Sequence, residues 1–358
     1  MRRTPRSVFD YVEGAAESEF SRDRAVRAFA RCVFHPRVLR DVSSVATATT
    51  ILGREAALPV VLGPTGFTRM MHAAGEVAVA RAAGRAGIPY TLSTLGTTSV
   101  ERLAAEAPRT ERWFQLYVWK DRERSRELVA RAAECGYSTL VLTVDVPVAG
   151  ARLRDVYNGL AVPPALTPRT LIGMLRKPRW LLDALTTEPL AFESLGVADD
   201  VVALIDSVFD PSVTFADLEW LRAEWPGSIV VKGLQRVDDS LAAVDAGANG
   251  IAVSNHGGRQ LDRAVTPLEL LPAVVDAVGD RVEVYLDGGI RSGADVAAAV
   301  ALGAKAAFVA RPYLYALMAG GEAGVDHLMS LLHADYTRTL QLLGVSRTGE
   351  LERELVQL

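Results

Sequence analysis

Apolar positions along this chain fall into short runs. Each run is followed by a polar or glycine-containing turn and then by an alanine-rich stretch with helical spacing. Short runs of Val, Ile, Leu and aromatic residues read as strands buried on both faces, and the stretches between them read as helices. The pattern predicts strands at 59–62, 89–92, 113–116, 139–142, 229–232, 251–253, 283–286 and 307–309, with helices at 76–86, 122–135, 237–246 and 293–302 among others. Strands that alternate with helices pair in parallel, and eight such units are the number that closes a barrel. The expected fold is therefore α/β, a (β/α)8 barrel.

Two segments interrupt the alternation. Residues 1–52 read as short helices and connectors, with Tyr11 in an amphipathic stretch, and are expected to cap the barrel. The 146–225 stretch after strand four is too long for an ordinary connection and is expected to be a functional insertion. The whole of 1–358 then reads as one domain: cap 1–52, barrel 53–320 with its 146–225 insertion, and C-terminal helices over 321–358.

Composition narrows the function. A formal charge of −4 and a pI near 5.8 offer no overall basic field, which argues against a nucleic-acid partner. The two cysteines, Cys32 and Cys135, lie far apart and outside any metal spacing, so they read as reduced thiols and no metal site is expected. The basic start at Arg2, Arg3 and Arg6 is followed by Asp10 and Glu13 instead of a continuous apolar run, so no secretory signal is predicted. No apolar run approaches membrane-spanning length, and a cytoplasmic location is expected.

In a barrel, the strands' carboxyl ends gather at one mouth. Here those ends carry Pro64-Thr65-Gly66, Ser93, Gln115 with Tyr117, Thr143 with Asp145, Lys232, the stretch SNHGGRQLD at 254–262, Asp287-Gly288-Gly289 with Arg291, and Ala310-Arg311-Pro312. His256 is a base available near neutral pH, and Arg259 can hold a carboxylate through paired hydrogen bonds, so the two together point to an acid substrate. The loops after strands seven and eight suit a phosphate ester, with Gly288, Gly289, Arg291 and Arg311 as its holders and Asp287 an acceptor for neighbouring hydroxyls. Lys232 ends a buried strand, where an ammonium requires a carboxylate partner or an anionic ligand edge.

The stretch from Ser254 to Asp262, with these other strand ends, resembles the signature of the FMN-dependent L-2-hydroxy acid oxidases and dehydrogenases, the family of glycolate oxidase, flavin L-lactate dehydrogenase and mandelate dehydrogenase. The resemblance implies FMN as cofactor, an L-2-hydroxy acid as substrate, and oxygen or quinone as electron acceptor. It implies His256 as catalytic base, Asp145 as its partner, and Tyr117 facing the substrate hydroxyl. Tyr11, Arg152 and Arg259 would hold the substrate carboxylate. Pro64, Thr65, Gly66, Ser93, Gln115, Thr143, Lys232 and Ser254 would surround the flavin, and a homo-oligomer, a tetramer, is expected.

Three departures from the family pattern stand out. Leu95 takes the place of glycolate oxidase's tryptophan, so a substrate larger than glycolate is expected, mandelate first and lactate second. Ala310 replaces the usual glycine before Arg311, and the N-terminal segment is short, so a trimmed first helix is expected. The basic and apolar segment 169–182 reads either as an active-site lid or as an interfacial contact at the membrane's inner face. The rivals are a related FMN barrel that oxidises a modified peptide or isomerises a diphosphate, and a flavin-binding protein without activity. The His256/Arg259 pair favours a carboxylate substrate over the first, and the retention of Tyr117, Asp145 and His256 speaks against the second.

Overall fold

Each of the eight apolar runs forms a strand, and the eight close into one parallel barrel in the computed structural model, which describes residues 3–159, 173–195 and 208–358. In chain order they are β1 (Val60–Leu62), β2 (Tyr90–Ser93), β3 (Arg112–Leu116), β4 (Thr139–Thr143), β5 (Ser228–Leu234), β6 (Gly250–Ser254), β7 (Glu283–Asp287) and β8 (Ala306–Val309). Neighbours in sequence are neighbours in the barrel, and β8 closes onto β1 with Phe308 opposite Val61.

Before the barrel come α1 (Arg6–Glu13) and α2 (Phe20–Arg31). The first three strands lead into α3 (Gly75–Ala86), α4 (Val100–Glu106) and α5 (Arg122–Glu134). Between β4 and β5 lie α6 (Leu153–Tyr157), α7 (Pro178–Thr186) and α8 (Phe215–Glu224). The remaining strands are followed by α9 (Val237–Asp245), α10 (Pro267–Val278), α11 (Gly293–Ala301) and α12 (Arg311–Leu343).

The interior is packed with side chains. Trp113, Tyr285 and Phe308 meet edge to face, with ring centroids 6.0, 6.1 and 5.8 Å apart. Val61, Val141, Val230 and Ala252 complete this layer. A hairpin of Thr49–Ile51 and Arg54–Ala56 sets Ile51 and Leu52 against it, and Leu52 N–H donates to Glu283 at the amino end of β7, 3.0 Å away. That end is therefore plugged, and the chemistry-bearing residues lie at the other.

The structure differs from the sequence reading in two places. The 146–225 excursion ends earlier than expected, because α8 buries Leu218 and Leu221 and packs beside α9 as the barrel's own fourth helix. Trp220, off the stripe made by these leucines, obscured the helical pattern. Beyond β8, α12 runs on through a break at Gly320 and Gly321. After Leu343 the chain forms short 3-10 turns, where helices were expected, and a strand, Val356–Gln357, that pairs antiparallel with Val33–Phe34.

Candidate active site

The strand ends converge on one cavity. Pro64, Thr65, Gly66, Ser93, Leu95, Tyr117, Thr143, Lys232, His256, Arg259, Asp287, Gly288, Gly289, Arg291 and Arg311 all line it, joined by Tyr11 from α1 and Arg152 from the start of the insertion. Its empty volume is ≈ 1550 Å³ with the open mouth included. Gln115, Asp145 and Ser254 do not line the wall; they stand behind it.

Behind the wall, Asp145 orients His256. The Asp145 side chain is 3% exposed and its Oδ1 lies 2.9 Å from His256 Nδ1, so Nδ1–H donates to the carboxylate and Nε2 is left to take a proton. His256 holds φ 55°, a left-handed conformation that costs a non-glycine residue about 1–3 kcal/mol. Its N–H donates to Ser254 Oγ at 3.0 Å, and its C=O accepts from Arg259 N–H at 3.2 Å. The strained backbone aims the ring into the cavity.

Space for Asp145 comes from β5. A register shift follows Lys232, where Gly233 takes φ 111°, and a Cβ at Gly233 would stand 2.7 Å from Asp145 Cγ. Gly233→Ala is expected to displace Asp145 and lower turnover about 100-fold while the bound-flavin spectrum persists. Near-wild-type turnover of that variant, measured by steady-state kinetics, would show that the dyad tolerates displacement.

Positive charge collects on the opposite side. The guanidiniums of Arg259 and Arg152 lie 4.9 and 5.7 Å from the centre of the Tyr11 ring. Arg259 Nη1 donates to the Tyr11 and Gly14 carbonyls at 2.7 and 3.2 Å, and burial, reinforced by the nearby Arg152, pushes its pKa down. The nearest acid, Asp155, is 3.9 Å from Arg152, and burial pushes its own pKa up against the pull of the arginines. Apart from Asp155, no carboxylate among the described residues lies within ion-pair distance of these two adjacent arginines, which together form a socket for an anion.

Lys232 has a buried carboxylate partner. Its Nζ is 2.6 Å from Asp287 Oδ2 and 3.1 Å from Ser254 Oγ, and it also lines the cavity. Burial opposes its charge, but Asp287 raises its pKa overall; burial likewise opposes ionisation of Asp287, and Lys232 holds that carboxyl low. Ser254 Oγ donates to Asp287 at 2.6 Å while accepting from Lys232 and His256 N–H, so it braces this network.

The residues present fit a flavin. Gln115 Oε1 accepts from Ser93 Oγ at 3.0 Å and from Thr94 N–H at 3.2 Å, which leaves the buried Gln115 Nε2 without a partner among the described residues. Thr143 Oγ1 is likewise unpaired. Buried polar atoms are rarely left so, and a ring edge with alternating donors and acceptors would satisfy both.

The loops after β7 and β8 bring Gly288, Gly289, Arg291 and Arg311 to one end of the cavity. The first amides of α11 are taken internally: Arg291 and Ser292 N–H donate to Asp295, and Gly293 N–H donates to Asp335. The next helix, α12, starts at the cavity with no side-chain cap, which leaves its first-turn amides for a ligand. Arg311 donates to the carbonyls of Val12, Gly257 and Gly14, each at 2.9 Å, and its pKa is pushed down to about 10 by burial and by Arg259. It ties α1 to the barrel as well as facing the cavity.

Sequence reasoning did not single out Phe67, Val146, Phe209 or Gln260. The first three form the cavity's apolar end with Leu95. Gln260 staples the β4 and β6 loops: its Nε2 donates to the carbonyls of Asp145 and Val148, both at 3.1 Å, and its Oε1 accepts from Gly150 N–H at 2.9 Å. Its place inside the 254–262 stretch was the available signal. Asp262, from the same stretch, accepts from Ser21 N–H at 2.8 Å and Phe20 N–H at 3.3 Å, which docks α2.

Comparison with known proteins identifies the family. A family model described as FMN-dependent dehydrogenase matches residues 1–358. A Mycobacterium tuberculosis protein, provisionally named an L-lactate dehydrogenase, is 53% identical over 359 residues, which cover 100% of this chain and 87% of that protein. The L-lactate dehydrogenase of Caulobacter vibrioides is 42% identical, with 99% of this chain and 94% of that one covered. Among solved structures, the monotopic membrane protein (S)-mandelate dehydrogenase is similar with a TM-score of 0.95 and 38% identity, with 99% of this chain and 96% of that one covered.

Proposed function

This chain belongs to the FMN-dependent dehydrogenase family and catalyses FMN-dependent oxidation of a 2-hydroxy acid; within that activity, we propose that its substrate is an L-2-hydroxy acid with an aromatic or otherwise large side chain, mandelate-like. The observation that carries the substrate reading is the apolar end of the cavity. Phe67, Leu95, Val146 and Phe209 stand together there, and this wall can bury a phenyl ring, whereas the methyl group of lactate would leave much of it uncovered. The lactate dehydrogenases among its relatives support L-lactate as the second reading.

The geometry supports the following roles. Arg259 and Arg152, both near the Tyr11 ring, receive the carboxylate. The carboxylate in turn fixes the hydroxyl-bearing carbon near His256 and Tyr117. His256 Nε2 takes the proton, and Asp145 stabilises the imidazolium that results. Tyr117 stays protonated, since burial and then Asp145 raise its pKa, so its hydroxyl can donate to the substrate oxygen. Lys232, paired with Asp287, faces the cavity where the electron-rich edge of the ring would lie. Bound FMN supplies the two-electron acceptor.

The test is anaerobic addition of L-mandelate or L-lactate, with the D acids as controls, to the yellow holoenzyme. Bleaching faster with L-mandelate is the expected result, and faster bleaching with L-lactate would overturn the substrate reading. Admission of air then separates an oxidase from a dehydrogenase.

One observation supports contact with a membrane surface. Leu175, Leu182 and Leu185 are 66%, 60% and 74% exposed around α7, beside Arg176 and Arg179. No helix among the described residues is long and apolar enough to cross a membrane, so the contact proposed is interfacial. Residues 169–172 of the expected segment lie outside the described residues. Co-sedimentation with vesicles containing anionic lipid is expected, and its loss in Leu182→Glu/Leu185→Glu would place the contact on α7; retention of full binding would remove it from there.

A further inference from the structure

Phe209 reaches the cavity from the returning end of the insertion, and its ring lies 5.5 Å from that of Tyr117 at an interplanar angle of 77°. It packs on a cluster formed by Tyr117, Trp119, Val146, Phe192 and Val208. The next residue, Asp210, is anchored away from the cavity. Its side chain is 6% exposed, and its carboxylate accepts from Arg122 Nη1 at 2.6 Å, Ser212 N–H at 2.9 Å and Ser212 Oγ at 2.8 Å. Arg122 also donates through Nε to Asp217 at 2.8 Å and through Nη1 to the Trp119 carbonyl.

Arg122 opens α5, the helix that follows β3, and β3 delivers Tyr117. A single strand-helix unit thus carries the tyrosine at the substrate and the clamp on the phenylalanine packed against it. Capping does not account for Arg122, because Asp121 already caps α5 by accepting from Glu123 N–H. Its guanidinium instead joins the residue after Phe209 to the start of α8, so the returning chain is fixed on both sides of the turn at 210–214.

We propose that Phe209 sets which substrate side chains the site accepts, and that the Arg122–Asp210 ion pair is the latch that positions it. The proposal rests on the apolar end being the room for the substrate's side chain. A fixed ring there favours a flat aromatic group, which can meet it edge to face, over a small one that leaves it uncovered. Asp210 touches neither ligand; it acts through Phe209.

The test reads selectivity, the ratio of kcat/KM for L-mandelate to that for L-lactate, in the holoenzyme. Phe209→Ala is expected to lower this ratio about tenfold. Asp210→Asn is expected to lower it several-fold, mainly through KM for mandelate, by releasing the ring. In the Phe209→Ala background, Asp210→Asn should not lower the ratio further, because a positioning residue has nothing left to position. Equal losses for the two acids, or an Asp210→Asn effect as large without Phe209 as with it, would overturn the latch. The substrate reading fails separately, in the wild-type protein, if lactate is preferred. In that case a ladder of straight-chain L-2-hydroxy acids takes mandelate's place, and the same non-additivity is required.

Discussion

His256→Gln is expected to slow substrate-dependent bleaching of the flavin by about 10³- to 10⁴-fold at neutral pH while FMN stays bound. Glutamine can occupy the space and hydrogen-bond Asp145, but it cannot take up a proton. The Nδ1 contact with Asp145 Oδ1 at 2.9 Å commits that nitrogen, so the whole of the base function falls to Nε2. Ser254, Asp287 and Lys232 are bonded to one another and to the backbone N–H at 256, so the flavin side should keep its shape. Anaerobic stopped-flow spectroscopy separates the two functions. A variant that bleaches within tenfold of wild type would mean that the proton goes elsewhere.

Arg259→Met is expected to lower kcat/KM about 10³-fold. Losing one partner of a buried, hydrogen-bonded charge pair costs about 2–5 kcal/mol, and each 1.4 kcal/mol is tenfold. Arg259 stays buried and charged although burial and Arg152 both oppose the charge, and its protein partners are backbone carbonyls of the 11–14 segment. That cost is sensible if an anion completes the socket. The neutral amide of the substrate provides the control. Wild type should discriminate strongly against it, and Arg259→Met should discriminate little. An equal loss for acid and amide would assign Arg259 to holding α1 instead.

The strand pattern carried the fold because each strand is buried on both faces and stands in the sequence as a short apolar run. Polar residues at the ends of such runs, such as Thr143 and Lys232, fit the mouth of a barrel. What the pattern hid depends on contacts between distant segments. Phe209 looks like any apolar residue until Tyr117 is beside it. Gly233 reads as a turn glycine after Lys232, yet its missing Cβ is what admits Asp145. The capping of α11 by Asp335 could not be foreseen either, since that acid arrives from the far end of α12. Ser254 stood in a recognisable stretch, and its position one layer behind the wall depends on which way β6 faces.

The pairing of Val33–Phe34 with Val356–Gln357 has a consequence for the order in which this enzyme becomes competent. The segment that bears Tyr11 is translated hundreds of residues before its docking surfaces, the Asp262 loop, Arg311 and the closing strand. At roughly 5–20 residues per second, that segment waits roughly ten seconds to a minute for the surfaces that hold it. Arg311 serves the cofactor end of the cavity and also holds the segment that bears Tyr11, so the two halves of the site would become complete together, once the last barrel strand is made.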